Sequence, residues 1–350
     1  MLNRLRIALV GCGPVSERHL LSWKNIPGVE VVALCDRHEE NLKQRSSEFG
    51  IKRTFKDFKK LLEEVDCDIV DIATRPYSHQ ELVFEAAQAG KHILCQKPFA
   101  PTLREAQEMI GVCQDKGVRF MICENWRWFI WFQIIKKILN SGEIGEVKYA
   151  RLTSHSWSTI PKGENPPLLL EDPQSYLKDM ERLIIYELGI HFIDVFRFLF
   201  GDANSVYART GKMSWQVAGE DLALIILDFG RMYGIIDINW CSRYRKNEQE
   251  SEQMLIEGNK GSIILERQGR IQIVRGDGKI SLPEYDWKGE TMLKTHFRLH
   301  KHFVEGILEN KPFQTDARDN IKTLEIALKS YDSAQDNKAI MLEKDRLLKR

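Results

Sequence analysis

The chain has 350 residues, 51 Lys+Arg against 50 Asp+Glu, a net charge of +1 and a hydrophobic share of 43%. That length suits about two domains, and the balanced charge argues against a nucleic-acid or membrane-surface partner. Seven cysteines stand at 12, 35, 67, 95, 113, 123 and 241, without a CxxC pair or a Cys/His cluster. Free buried thiols in a reducing, cytoplasmic setting are therefore expected, with no metal. The apolar run at 7–10 is too short for a signal-peptide core, and the one at 126–132 is too short and too charged for a membrane span.

Residues 6–122 alternate short apolar runs with longer helical patterns. Strands are expected at 6–10, 29–35, 69–73, 92–95 and 119–123, and helices at 14–25, 39–50, 56–64, 79–89 and 103–116. Strict alternation implies a parallel sheet with helices on both faces. The first turn, Gly11-Cys12-Gly13-Pro14-Val15-Ser16, is a G-x-G-x-x-S variant of the dinucleotide fingerprint. Gly11 suits the tight turn, Gly13 lets the backbone approach a pyrophosphate, and Ser16 keeps the small size that helix–strand packing needs. The pyrophosphate would rest on the following helix N-terminus, where N–H groups and the dipole favour an anion. Asp36 lies 20 residues beyond Ser16, at the end of the second strand. It suits the ribose hydroxyls and so favours NAD, while Arg37 could stack on adenine or pair with the extra phosphate of NADP.

The loop Thr74-Arg75-Pro76-Tyr77-Ser78-His79 follows another strand end. Ser78 fits an N-cap, and the loop shares the carboxyl edge with Gly11 and Asp36. Thr74, Arg75, Pro76 and His79 are therefore candidate cofactor contacts. In His92-Ile93-Leu94-Cys95-Gln96-Lys97-Pro98-Phe99, a short apolar strand ends on Gln96 and Lys97, and Pro98 stops it. Lys97 then stands at the carboxyl end of a central strand, where ligands bind in open α/β sheets, so Gln96 and Lys97 are candidate cofactor contacts too.

After Cys123 the pattern changes. A helix at 134–140 and a strand at 147–155 precede a polar stretch at 156–181 with Pro161, Pro166, Pro167 and Pro173. A loop that long is usually functional or disordered. An apolar helix is expected at 183–199, then short strands at 205–212, 222–229, 232–240, 253–257, 262–266 and 270–274, and closing helices at 296–309 and 317–335. Consecutive hairpins give a largely antiparallel sheet. On the apolar helix, Glu187, His191 and Asp194 fall near one face. His191 alone would be a satisfied core histidine. Glu187 and His191 could mimic a metal pair, but HExxH and a third nearby ligand are absent. Acid–base chemistry fits better, with the carboxylate fixing the imidazole that moves a proton near neutral pH.

In this order the motifs resemble the glucose–fructose oxidoreductase / inositol dehydrogenase / rhizopine-catabolism (Gfo/Idh/MocA) family, over nearly the whole chain. Gly11-Cys12-Gly13 with Arg18-His19 is similar to its opening, and residues 32–37 to its second strand. Thr74 to His79 matches T-x-P-x-x-H, residues 89–98 match A-G-K-H-V-x-x-E-K-P, and Glu187-x-Gly189-x-His191-x-x-Asp194 matches D-x-G-x-H-x-x-D. The resemblance implies an NAD(P)-dependent oxidoreductase of sugars, cyclitols or polyols. Lys97 would hydrogen-bond the reacting oxygen, His191 would be the general acid/base, and Glu187 would orient it or touch a substrate hydroxyl. Asn125 and Arg127, in an N-x-R after the last strand, are candidate substrate contacts, as are His155 and Tyr176 around the long loop. Gln96 departs from the usual glutamate, Glu187 from aspartate, and residues 181–186 from a glycine-rich run.

The expected architecture is α/β plus α+β: a Rossmann, doubly wound parallel sheet over 1–123, and helices on a large, mostly antiparallel open sheet over 124–350. An uncovered apolar sheet face implies a homodimer or homotetramer. Two other readings stay open: a nucleotide-bound sugar sensor without catalysis, and an NAD-dependent glycosidase of the same fold.

Overall fold

The structure is a computed structural model that describes residues 4–161, 163–170, 175–243 and 252–343. Pro173 lies outside the described residues.

The chain opens with β1 (Leu5–Val10), α1 (Ser16–Lys24), β2 (Val29–Cys35), α2 (Glu39–Phe49), β3 (Thr54–Phe55), α3 (Phe58–Glu64), β4 (Ile69–Ile72), α4 (His79–Gln88), β5 (His92–Gln96), α5 (Leu103–Asp115) and β6 (Phe120–Cys123). These strands form one sheet in the order β3-β2-β1-β4-β5-β6, parallel throughout. Every residue of β4 and β6 is buried, as expected where helices cover both faces. The strand order reverses beside β1, between β1 and β4, so the crevice for a ligand opens at the carboxyl ends of these two strands. The short edge strand β3 was not expected from the sequence, because two residues carry no periodicity.

The chain continues through α6 (Ile130–Ser141), β7 (Val147–His155), a π-helical turn (Ile185–Gly189), α7 (Ile190–Phe200), β8 (Ser205–Gly211), β9 (Leu222–Asp228), β10 (Tyr233–Asn239), β11 (Gln253–Gly258), β12 (Gly261–Leu265), β13 (Ile271–Arg275) and β14 (Ile280–Ser281). It closes with α8 (Met292–Leu308), α9 (Ala317–Asp336) and β15 (Ile340–Met341). A nine-stranded sheet runs β14-β13-β12-β11-β7-β10-β9-β8-β15. Only β7 and β10 pair in parallel among its described neighbours. Helix α7 covers one face, with α6 packed against it: a Cβ on Gly234 of β10 would collide with the Phe196 ring of α7.

Two expectations change. Helix α6 starts four residues earlier than expected, since Trp131 and Phe132 join Ile135 and Ile138 on its buried stripe. Residues 124–128 and 291–324, assigned from the sequence to the second domain, pack with the first. The cause is α8, whose Leu299 and Phe303 share a core with Ile7, Trp23 and Ile69. The described residues of 129–290 and 325–343 make up the second compact unit.

Candidate active site

In the first unit the fingerprint turn follows β1. Gly11 has φ +95°, and a Cβ there would lie 2.7 Å from the Ala73 carbonyl oxygen, so only glycine fits. Gly13 has open space where a Cβ would be, which leaves its backbone approachable by a phosphate. Pro14 and Val15 lead into α1, with Val15 as its N-cap residue. Ser16 is fully buried; its hydroxyl donates to the Gly13 carbonyl (2.5 Å) and accepts from Arg45 Nε (3.1 Å). It thus braces the turn from below, as the small third position should.

Asp36 follows β2 and ties the edge together. One carboxylate oxygen accepts the Cys12 N–H at 2.6 Å and the other the His38 N–H at 2.8 Å. Each oxygen keeps a lone pair for a ribose hydroxyl. Arg37 is exposed, with Glu81 3.8 Å away. Thr74, Arg75 and Pro76 form the loop after β4, where the Ser78 hydroxyl donates to Thr74 Oγ1 at 2.8 Å. His79 faces inward instead. Its ring nitrogens lie 3.0 Å from the Thr74 carbonyl and 3.2 Å from the Phe99 carbonyl. Burial pushes it down to about 4, so the ring is neutral and its single N–H donates to one of these two carbonyls.

Lys97 follows β5 and is partly buried. The Gln96 side chain does not point along with it, as a neighbour of the ammonium would. Gln96 Oε1 accepts the Lys97 backbone N–H at 3.0 Å, and its Nε2 lies 2.8 Å from His19 Nε2. His19 Nδ1 lies 2.9 Å from Asp71 Oδ2, which also accepts from Trp23 Nε1 at 2.6 Å. His19 and Asp71 are completely buried. Burial alone would push Asp71 up, but His19 and His300 outweigh it and hold the carboxyl below the usual range. His300 Nδ1 lies 2.7 Å from the His296 carbonyl, and its Nε2 is 3.8 Å from Asp71 Oδ2. Burial pushes His296 and His300 down.

The sequence reading missed this group. It holds two sets, His19/Cys123/His296 and His19/Asp71/His300, and within each the side-chain N, O or S atoms lie within 4.8 Å of one another. They arise from α1, β4, β6 and α8, so no linear spacing could announce them. One signal existed: an aspartate within the apolar run of β4 must be paired to stay buried. Asn125 and Arg127, the candidate substrate contacts after β6, are both buried. The Asn125 amide donates to Thr295 Oγ1 at 2.7 Å, and the buried Arg127 guanidinium donates to the Gln314 carbonyl at 2.8 Å.

In the second unit the expected single helix begins as a π-turn, and Glu187 sits inside it. Such turns are wider than α and often mark functional sites. The uniform 3.6-residue spacing therefore stops at Gly189, and His191 starts the α-helical part. Gly189 lets this segment lie on β10: a Cβ would be 3.1 Å from Ile238 Cδ1. Glu220 holds the start of the turn, its two oxygens accepting the Leu183 and Ile185 N–H groups, each at 3.1 Å. The Tyr331 hydroxyl donates to the same carboxylate at 2.7 Å. His191 is 5% exposed and Asp194 fully buried, while Glu187 is partly exposed. His155 ends β7, its Nε2 3.0 Å from Asp237 Oδ1 but off the line of a hydrogen bond. Tyr176 packs on a small cluster of Leu169, Leu177, Leu183 and Val217.

Comparison with known proteins agrees with this arrangement. The family model described as the oxidoreductase family with an NAD-binding Rossmann fold (GFO_IDH_MocA) matches residues 5–123. The GFO/IDH/MocA C-terminal domain model matches residues 132–264. A D-apiose dehydrogenase of Paraburkholderia graminis is 34% identical over 98% of this chain and 91% of its own length. A D-apiose dehydrogenase of Rhizobium rhizogenes is 30% identical over 97% of this chain and 98% of its own. A crystal structure of an oxidoreductase from Agrobacterium radiobacter, in complex with NAD+, L-tartaric acid and magnesium, superposes with a TM-score of 0.88 at 29% identity, covering 97% of this chain and 98% of that one. With the fingerprint turn, the strand-end lysine and the helix of Glu187 and His191 all in place, the chain belongs to the GFO/IDH/MocA family of NAD-binding oxidoreductases.

Proposed function

We infer that the chain is an NAD-dependent dehydrogenase that moves a hydride between the cofactor and a CH–OH carbon of a sugar or polyol. The observation that carries this is the carboxyl edge of the first sheet. There the glycine turn, Asp36 and Lys97 stand at the ends of β1, β2 and β5. Bound NAD supplies the hydride acceptor. Gly11 and Gly13 give its pyrophosphate room, and Asp36 takes its ribose hydroxyls; a 2′-phosphate there would meet the Asp36 carboxylate, so NAD is favoured over NADP. Thr74, Arg75 and Pro76, in the loop after β4, would contact the cofactor from the same edge.

Lys97 donates a hydrogen bond to the reacting oxygen and stabilises it as its proton leaves. His191 takes that proton, and Glu187 orients the ring or receives a neighbouring hydroxyl. His155 and Tyr176 are secondary candidates for substrate contact. The two D-apiose dehydrogenases make D-apiose and other branched or cyclic polyols the first substrates to test. The chain acts as a homodimer or homotetramer in the cytoplasm, which suits its buried free thiols.

The test is absorbance at the nicotinamide band with NAD and a polyol panel. Turnover is expected for wild type. Lys97→Met and His191→Ala should each lose about 10²–10⁴-fold in kcat while still quenching on NADH binding. Full turnover by either variant would remove its assigned role. NAD binding without turnover across the panel would instead favour a sensor.

A further inference from the structure

The hydrogen bonds behind Lys97 have one direction, and the backbone sets it. The Lys97 N–H can only donate, and it donates to Gln96 Oε1 at 3.0 Å. The amide NH2 group of Gln96 must then face His19, 2.8 Å from Nε2. An amide NH2 only donates, so His19 Nε2 must accept with its lone pair. The ring proton therefore sits on Nδ1 and donates to Asp71. Three donors in a row point toward one buried carboxylate, an arrangement in which each bond polarises the next.

Resting on the dehydrogenase reading, we propose that Asp71, His19 and Gln96 form a tautomer-locked relay that positions Lys97. The three are positioning residues: none needs to touch substrate or cofactor. The relay anchors the backbone at the end of β5, from which the lysine side chain departs. It also accounts for the aspartate buried in β4 and for glutamine at 96. The amide serves both neighbours at once, accepting from Lys97 N–H and donating to His19. The groups facing the imidazole are Asp71 on β4, Gln96 on β5, Cys123 on β6, and His296 and His300 on α8, while Trp23 on its own helix shares the Asp71 carboxylate.

Asp71→Asn breaks the lock in a defined way. Trp23 can only donate, so the new amide turns its oxygen to Trp23, and its NH2 group takes the place of Oδ1, 3.0 Å from His19 Nδ1, where a ring Nδ1–H would meet a donor. The ring proton then moves to Nε2, where it opposes the NH2 group of Gln96. If that amide flips, the Lys97 N–H loses its acceptor. Adding Gln96→Glu restores it: one carboxylate oxygen takes the His19 Nε2–H and the other the Lys97 N–H. The charge has moved from 71 to 96 and the anchor is whole again.

The experiment combines kinetics with ¹⁵N spectra of histidine-labelled, full-length protein. Wild-type His19 is expected as the neutral Nδ1–H form. In Asp71→Asn it becomes Nε2–H and kcat falls by up to about 10²-fold, with the KM for NAD little changed. The double variant keeps Nε2–H yet regains most of the kcat. The relay is overturned if wild-type His19 carries its proton on Nε2, or if the double variant is no more active than Asp71→Asn. Should Asp71→Asn fail to fold, Gln96→Glu alone decides: His19 takes a second proton while the Lys97 anchor and most of the kcat persist, and a collapse of kcat counts against the relay. The spectra need no substrate, so absent turnover would sink the dehydrogenase reading and leave the tautomer result standing.

Discussion

Buried histidines give the first unit a pH response whose sign follows from where they lie. His79 is neutral in the fold and pushed down to about 4 by burial, against an ordinary value near 6.5. Above pH ~6.5 neither the folded nor the unfolded chain protonates it, so it adds nothing to the pH dependence. As pH falls below that, the unfolded chain binds a proton that the native ring refuses, and unfolding becomes easier. The loss grows to about 3 kcal/mol near pH 4 and then levels. His296 and His300 are displaced in the same direction by burial and act with the same sign. Denaturant unfolding followed at pH 7 and pH 5 is expected to show this slope, and His79→Gln should flatten part of it. An identical slope in the variant would mean that His79 is not held neutral.

At the scale of elements, the π-turn before α7 depends on Glu220. One carboxylate accepts two helix N–H groups and the Tyr331 hydroxyl. Burial, then the Glu220 charge, pushes the Tyr331 hydroxyl well up, so it stays a donor. Glu220→Gln offers one oxygen for two N–H groups and presents an NH2 group to the other. That is expected to cost about 1–3 kcal/mol of stability and to lower kcat more than NADH affinity, because the turn carries Glu187. Calorimetry and steady-state rates test this together. Unchanged values in both would show that the turn holds without the carboxylate. The element also marks a limit of periodicity. Alternation and helical stripes place α1 through α5 within a few residues, but nothing in residues 183–191 announces a wider turn, since the π-turn is set by its partners Glu220 and Tyr331.

For the whole molecule, the outer face of the nine-stranded sheet matters most. The cross-strand row Tyr207–Ile226–Ile235–Arg151–Leu255–Ile264–Gln272 is largely apolar and partly or fully accessible. Leu224 and Tyr233 on the same face are 38% and 51% exposed. An antiparallel sheet that faces water on one side usually alternates with polar residues there. Light scattering at micromolar concentration should therefore give the mass of a dimer or tetramer, and Ile235→Lys should lower it. A monomeric mass for wild type would refute the pairing. No helix of the described residues is long and apolar enough to cross a membrane.

The sequence by itself determined what is local or periodic. It placed the two kinds of sheet, the glycine turn, Asp36 and Lys97 at strand ends, and the helix of His191, because strand alternation and turn chemistry need only neighbours in the chain. Tertiary structure alone decided what joins distant segments. It moved α8 into the first unit through the shared core of Leu299, Phe303 and Trp23. It turned His79, Asn125 and Arg127 inward, and it aimed Gln96 at His19 rather than alongside the lysine. A buried polar atom must find a partner wherever the fold puts one, and for Asp71 that partner is a histidine 52 positions away.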